Sequence, residues 1–362
     1  MRFAVISDTH SNRFTYKAYE HLLEYKDRLQ LDFVLFNGDI IGHFSLAKST
    51  VHRHQNKIPS EQIEDYLREA APNFYDSWRD QEEITKQLLY EYVGERYSWI
   101  YTFLKQSSKQ IKTVWNLGNH ESKHYYLVLQ ELPFLTQLGN EAVQALDRRI
   151  LDKIYDLYEE SMVKLEEKED FHYIRNKPLR IGKTLFIGIP GESHIADGND
   201  DPGGVQEAKT KSVLSQAEQY IDSVDKIIIC NHTQAKYNAK YSFLQPASPS
   251  AKEFIDEYKE VKEIVWIQSH NHWSYTQFMK YKEVSYILNN AGLHDGIYNI
   301  VDTQNEVSVY DVSPEDDEIQ KLFCTDTFGE EFQDEQIKIA RNYSDPKSIL
   351  ARKKRYSTSD SS

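Results

Sequence analysis

The chain has little of what secreted or membrane-spanning proteins need. Only two of its 362 residues are cysteine, Cys230 and Cys324, too few for a disulfide framework and typical of a reducing compartment. It contains no run of about 18 apolar residues, so the sequence predicts no membrane-spanning helix. The first predicted strand begins at residue 2, and we therefore expect no signal peptide. These absences together predict a cytoplasmic protein with no membrane partner.

Basic residues are also in the minority. The chain has 43 Lys and Arg against 57 Asp and Glu, which gives a net charge of −14 at pH 7. Affinity for long nucleic acid depends on neutralising phosphates with basic side chains, so this balance disfavours such a partner without excluding it. The apolar content of 40% is enough for a large core in one elaborated domain. The oligomeric state is left open.

What the sequence does contain is five polar segments, each placed directly after a short apolar run. The segments are residues 7–10 (SDTH), 37–39 (NGD), 118–121 (GNHE), 231–232 (NH) and 269–272 (SHNH). The runs before them are typical of buried strands and cover residues 3–6, 33–36, 111–117, 227–230 and 264–267. The strand ends are therefore expected to converge on one place, where they bring carboxylates, an amide and imidazoles. These groups are ligands of Mn, Fe and Zn.

The spacing of these residues indicates how they would bind metal. Asp39 is the predicted bridge, because a carboxylate has enough lone pairs to bind two cations. Asp8 and His10 are two residues apart, so on an extended segment with a slight bend both side chains reach one ion. His270 and His272 have the same spacing, and one of them can serve each metal. Two ions about 3.5–4 Å apart would lower the pKa of a bridging water and hold phosphate oxygens during in-line attack.

Neighbouring residues are candidates for proton transfer and substrate binding. Asn119 offers a neutral amide oxygen to a metal and is also a candidate substrate contact. His120 points to the opposite side if the segment is extended, and an imidazole near its ordinary pKa suits a general acid. Arg13 can hold a substrate phosphate through its guanidinium, or it is a surface residue at a helix start. Either Glu121 or His124 could orient His120.

At these five segments the sequence resembles the calcineurin-like metallophosphoesterase superfamily. The pattern of that superfamily is Asp-x-His, Gly-Asp, Gly-Asn-His-Asp/Glu, a lone His and Gly-His-x-His. The resemblance implies a first metal held by Asp8, His10, Asp39 and His272, and a second held by Asp39, Asn119, His232 and His270. It also implies His120 as the acid. Ser11 and Ser269 stand where the superfamily often has Gly, but neither is a ligand. The backbone at Ser269 must therefore suit a residue with a Cβ.

The order of predicted elements and the resemblance both indicate an α/β fold. We expect a four-layer α/β/β/α sandwich of two mixed sheets with flanking helices, plus a helical insertion. The metallophosphoesterase domain is predicted at residues 1–312, with the insertion at about 44–110 as a candidate cap and long helices at about 121–170. Residues 313–362 are predicted to be a C-terminal extension with a disordered end. Four late segments are predicted as antiparallel strands completing the second sheet: 275–279, 283–288, 297–301 and 307–312.

Three functions are open at this point. The first is a dinuclear metal-dependent phosphoesterase, in which a metal-bridging hydroxide attacks a phosphomonoester or phosphodiester and His120 is the general acid. Its substrate would be a small molecule, such as a nucleotide, or a phosphoprotein. The second is a metal-dependent nuclease acting on DNA or RNA, which a basic surface near the site would favour. The third is a catalytically weak, metal-bearing scaffold that binds partners through the insertion, although a scaffold needs no proton donor such as His120.

Overall fold

The computed structural model describes residues 1–9, 12–40, 68, 76, 86–118, 121, 147–191, 203–232, 248–273, 276–281, 283–290, 296–314, 317–322 and 324. In these ranges the helices are α1 (Asn12–Tyr25), α2 (Lys86–Ser108), α3 (Arg148–Glu166), α4 (Gly203–Glu218) and α5 (Pro249–Tyr258), with a 3-10 turn at Ile221–Ser223. The strands are β1 (Arg2–Ile6), β2 (Phe33–Asn37), β3 (Thr113–Asn116), β4 (Phe171–Tyr173), β5 (Pro178–Ile181), β6 (Thr184–Ile189), β7 (Lys226–Asn231), β8 (Glu263–Trp273), β9 (Gln277–Tyr281), β10 (Val284–Asn290), β11 (Tyr298–Asp302), β12 (Ser308–Ser313) and β13 (Glu318–Lys321).

The strands form two mixed sheets. The seven-stranded sheet has the order β13-β12-β11-β1-β2-β3-β4, and β1 to β4 run parallel. The six-stranded sheet has the order β5-β6-β7-β8-β10-β9, with β6, β7, β8 and β10 parallel. The central strands are near-continuous apolar runs, as expected for parallel strands that are covered on both faces.

Three apolar cores separate four layers. Side chains of α1, α2 and α3 pack on the outer face of the seven-stranded sheet, with Trp115 and Phe36 fully buried among them. The inner faces of the two sheets meet in a second core, which includes Phe3, Phe186 and Ile228. Helices α4 and α5 cover the outer face of the six-stranded sheet. The four-layer α/β/β/α sandwich predicted from the sequence is confirmed.

Local sequence signals fix two of the helix starts. The carboxylate of Asp147 accepts a hydrogen bond from the backbone N–H of Arg149 at 2.9 Å and so caps α3. Ser248 caps α5 through the N–H of Ala251, and Pro249 occupies the first helical position, where no N–H donor is needed. Among the described residues, no helix combines the length and the apolar character needed to cross a bilayer.

The four late strands are placed differently from the prediction. They do not all complete one sheet: β9 and β10 belong to the six-stranded sheet, whereas β11 and β12 extend the seven-stranded sheet beside β1. One edge of β1 pairs with β2, and the other edge needs a partner. That partner is β11, which runs antiparallel to β1 and lies nearly 300 residues later in the sequence. The short strands β4, β5 and β13 had no clear signal in the sequence. In the predicted C-terminal extension, β13 pairs with β12 at the edge of the seven-stranded sheet.

Candidate metal centre

The predicted site lies where the parallel strands of both sheets end. Asp8 follows β1 and Asp39 follows β2 in the seven-stranded sheet, and His232 follows β7 in the six-stranded sheet. Ligand sites in open α/β sheets are found at the carboxyl ends of parallel strands, because the following loops open there. In this fold the loops of two sheets meet, so each sheet contributes ligands to one place.

Both carboxylates are presented by tight turns. Asp8 has a φ of 50° and Asp39 a φ of 51°, which is the left-handed region that Asp tolerates better than most residues. The backbone N–H of Asp8 donates to the carbonyl of Gly38 at 3.0 Å, which ties the two turns together. The prediction of an extended backbone at Asp8 is therefore wrong, because the chain turns there as it leaves β1.

His232 is fully buried and held from two sides. Its Nδ1 lies 2.7 Å from the carbonyl oxygen of Asn37, which can only accept, so Nδ1 carries a proton. This leaves Nε2 facing the centre, 3.1 Å from Oδ2 of Asp39. A hydrogen bond that fixes one ring nitrogen and aims the other is the usual arrangement for a metal-binding histidine.

These side chains form a compact ligand set. Ligand atoms of Asp8, Asp39 and His232 all lie within 4.8 Å of one another, and all three residues are fully buried. Burial disfavours a charged ring, but the carboxylates of Asp39 and Asp8 and the Asn37 carbonyl outweigh it and raise the pKa of His232 to about 10. In the metal-free protein these surroundings therefore favour the imidazolium form of His232.

Glu121 braces the loops that carry these ligands. Its Oε2 accepts hydrogen bonds from the N–H of Asp39 at 2.9 Å and from the N–H of Gly118 at 3.0 Å, and the residue is fully buried. Sequence reasoning considered it only as a partner of His120, which lies outside the described residues. The structure shows its contacts to the two loops after β2 and β3.

Two glycines allow these loops to approach closely. A Cβ on Gly118 would lie 2.0 Å from Oδ1 of Asp39, and a Cβ on Gly38 would lie 2.4 Å from Nδ1 of His232. Gly38 also has a φ of 85°, which side chains rarely adopt. The glycines are therefore required by the packing of the ligands as well as by the turns.

Comparison with known proteins identifies this arrangement. The family model for the calcineurin-like phosphoesterases matches residues 1–289, most of the chain and all five polar segments. The chain belongs to the calcineurin-like phosphoesterase family. No curated protein has a significant sequence match to it.

Several solved structures are similar, all at low sequence identity. A putative 5'-nucleotidase from Staphylococcus aureus is 12% identical with a TM-score of 0.37, over 95% of this chain and 58% of that one. This chain thus spans little more than half of that protein. GAP50 of Plasmodium is 11% identical with a TM-score of 0.41, over 95% of each chain. A protein serine/threonine phosphatase from Saccharomyces cerevisiae is 9% identical with a TM-score of 0.29, over 91% of this chain and 81% of that one.

The residues present fit the divalent metal ions that the family implies. Two carboxylates and one imidazole with its Nε2 turned inward are hard-to-borderline donors, and they suit Mn, Fe or Zn. The structure thus brings together three of the seven predicted ligands. His10, Asn119 and the predicted acid His120 lie outside the described residues, as does His124. The side chains of Arg13, His270 and His272 also lie outside the described part.

The backbone still corrects one prediction about the last segment. His270 and His272 were expected beyond the end of a strand at residues 264–267, but β8 continues to Trp273 and contains both residues. Ser269, the departure from the family's glycine, is fully buried, and its hydroxyl accepts a hydrogen bond from Nδ2 of Asn37 at 2.8 Å. Its φ is not positive, so a Cβ is accommodated there.

Some supporting residues were not foreseen from the sequence. The hydroxyls of Thr9 and Thr15 lie 2.5 Å apart, and both donate to the carbonyl of Ile40, which joins the loop after Asp8 to the loop after Asp39. Asn37 and Asn116 are fully buried and linked by a hydrogen bond. The available signal was an asparagine at or near the end of each of two predicted strands.

Proposed function

We propose that this protein is a dinuclear metal-dependent phosphoesterase that hydrolyses phosphomonoester or phosphodiester bonds. The observation that carries the proposal is the convergence of Asp8, Asp39 and His232 within 4.8 Å, fully buried, at the meeting point of two sheets. Two fully buried carboxylates beside an imidazole form a donor set that suits a divalent cation. Membership of a phosphoesterase family supports the same reading.

The two metal sites are assigned by the family's sequence pattern. One set would be Asp8, His10, Asp39 and His272, and the other Asp39, Asn119, His232 and His270. When bound, such ions supply an activated water and neutralise charge on the phosphoryl oxygens. Asp39 has Oδ2 3.1 Å from Nε2 of His232 and a ligand atom within 4.8 Å of one on Asp8, which supports its role as the shared ligand.

The chain's own residues would complete the reaction. His120 donates a proton to the departing oxygen, Arg13 binds the phosphate through its guanidinium, and Asn119 contacts the substrate. The net charge of −14 favours small phosphate esters or phosphoproteins over long nucleic acids. The cytoplasmic location, which rests on the low cysteine content, stays a prediction.

Hydrolysis of matched substrates tests this proposal. Purified protein would be assayed with an aryl phosphomonoester, a bis-aryl phosphodiester, and nicked and single-stranded oligonucleotides, with Mn²⁺, Fe²⁺ or Zn²⁺ and with chelator. We expect metal-dependent turnover of the small esters and intact oligonucleotides. The Asp39→Asn variant should lose metal and activity, whereas Asp302→Asn, a partly exposed carboxylate paired with Arg2, should retain both.

The alternatives give different results in the same assay. Cleavage of the oligonucleotides would favour a nuclease. A protein that holds two metal ions yet turns over none of the substrates would contradict the proposal and favour a scaffold.

A further inference from the structure

A buried amide joins the two sheets directly beneath the candidate metal centre. Asn116 ends β3 and is fully buried. Its Nδ2 lies 2.9 Å from Oδ1 of Asn37, 3.1 Å from the carbonyl oxygen of Cys230 and 3.3 Å from that of Ile189. All three are acceptors, so the amide nitrogen, not the oxygen, must face them. The side chain thus reaches from the seven-stranded sheet to the ends of β6 and β7.

Two of the three residues that Asn116 contacts, Asn37 and Ile189, also hold His232. The carbonyl of Asn37 fixes the imidazole at Nδ1, and the carbonyl of Ile189 accepts the backbone N–H of His232 at 3.1 Å. Asn37 is also two residues before Asp39. Asn116 therefore contacts the residues that place both His232 and Asp39, although it touches neither of those ligands.

Asn37 extends the same network across a further strand. Its Nδ2 donates to Oγ of Ser269 at 2.8 Å and lies 3.2 Å from the carbonyl oxygen of Asn231. Five strands thus converge on two side-chain amides: β2 and β3 from one sheet, and β6, β7 and β8 from the other. No apolar side chain could make these contacts, because each contact requires a donor.

The burial of Asn116 has a cost that packing alone does not explain. Its Oδ1 has no hydrogen-bond partner among the described residues. A buried acceptor without a partner is unfavourable, and an aliphatic side chain of similar size would avoid that penalty. An amide is therefore favoured at this position by the contacts of Nδ2 with its three acceptors, on Asn37, Ile189 and Cys230.

We propose that Asn116 is a positioning residue that sets the separation between Asp39 on one sheet and His232 on the other. The proposal rests on the metal centre of the proposed function. Ligands from two sheets can bind one ion only if the sheets are held at the right spacing, and partners that orient ligands typically change metal affinity by about 10–100-fold.

The test compares two variants of the same strand. Asn116→Leu removes the amide and keeps much of its volume. The control, Thr113→Val, removes a buried hydroxyl at the other end of β3, where Oγ1 donates to the carbonyl of Ile111 and lies 2.8 Å from Oγ of Ser107. Mn²⁺ and Zn²⁺ affinity would be measured by competition with a chromophoric chelator, beside thermal unfolding of the metal-free proteins.

We expect both variants to unfold at lower temperature than the wild type, because each loses buried hydrogen bonds. Only Asn116→Leu should lose metal affinity, by about tenfold or more, while Thr113→Val stays close to wild type. Equal metal affinity in Asn116→Leu and Thr113→Val would overturn the positioning role. A wild-type protein that binds no metal would overturn the proposed function as well, so the two failures are distinguishable.

Milder variants keep the test decisive if Asn116→Leu does not fold. Asn116→Ser is smaller and too short to reach Asn37, and Ser269→Ala removes only the hydroxyl acceptor of the Asn37 amide. Both should lower metal affinity in the same direction, with Ser269→Ala the weaker. Unchanged affinity in both folded variants would contradict the proposal.

Discussion

At the residue scale, the centre depends on an imidazole held between the carbonyl of Asn37 and the carboxylate of Asp39. His232 donates through Nδ1 to the Asn37 carbonyl and turns Nε2 toward Asp39. The carboxylates raise its pKa to about 10 despite burial, so the ring is protonated in the metal-free protein at neutral pH. A metal ion can bind Nε2 only after that proton has left.

Metal uptake should therefore release a proton from His232. Below a pKa of about 10 the ring is charged, so metal affinity should fall as the pH decreases, by roughly tenfold per pH unit for one displaced proton. Calorimetric titration of metal-free protein with Mn²⁺, in buffers of different ionisation enthalpy, counts the protons released. His172→Asn, which changes a half-buried histidine of β4, is the control and should leave the count unchanged. Metal binding at neutral pH without proton release would contradict this assignment.

His120 should affect the chemical step more than the metals. His120→Ala removes the proposed proton donor, so hydrolysis of esters with poor leaving groups should slow by about 10²–10⁴-fold. An ester with a good leaving group, such as a nitrophenyl ester, needs little protonation and should be affected much less. The measurement is kcat for both substrates, with metal content determined on the same samples. Equal losses on the two substrates would argue against a general acid.

At the element scale, the ends of β2 and β3 come together because a glycine lies between them. Gly118 follows β3, and a Cβ there would lie 2.0 Å from the Asp39 carboxylate. Glu121 then accepts hydrogen bonds from both loops. The position of Asp39 is thus a property of two neighbouring loops and not of its own turn alone.

Gly118→Ala should displace the Asp39 carboxylate and abolish metal binding. Gly94→Ala is the matched control, because Gly94 lies within α2 and a Cβ there meets nothing within 4 Å. The control should keep full activity and gain about 1 kcal/mol in free energy of unfolding, as alanine is the better helix former. Metal content and denaturant unfolding measure the two effects. If Gly118→Ala bound metal as the wild type does, the close approach of Gly118 to the Asp39 carboxylate would not be required for metal binding.

At the scale of the whole molecule, the centre takes its ligands from two sheets, which also meet through an apolar core and through the amides of Asn37 and Asn116. Asp8 and Asp39 come from one sheet and His232 from the other. A metal bound by all three would stabilise the folded state alone, since the unfolded chain does not bring them together. Binding of this kind stabilises by about 4 kcal/mol at a metal concentration of roughly a thousand times Kd.

Chelation should therefore lower the unfolding temperature of the wild-type protein measurably. The same treatment should leave Asp39→Asn unchanged, because that variant holds no metal to lose. Thermal unfolding followed by circular dichroism, with and without chelator, gives the comparison. A wild-type protein with bound metal but no response to its removal would show that the centre does not connect the sheets.

The sequence by itself determined the family and the class of fold. Apolar runs followed by Asp, Asn and His predicted buried parallel strands and their ligands, because strand burial and ligand type are local properties of the chain. The helical pattern predicted within about 44–110 likewise matches α2, because helical periodicity is recognised over a few turns of sequence.

Only the tertiary structure decided how distant parts meet. The pairing of β11 with β1, the assignment of β9 and β10 to the other sheet, and the contacts of Asn116 and Glu121 all join residues whose separation along the chain carries no local signal. An asparagine ending an apolar run looks the same whether it faces solvent or joins two sheets. Its role follows from which strands lie beside it, and that is settled by the packing of the whole molecule.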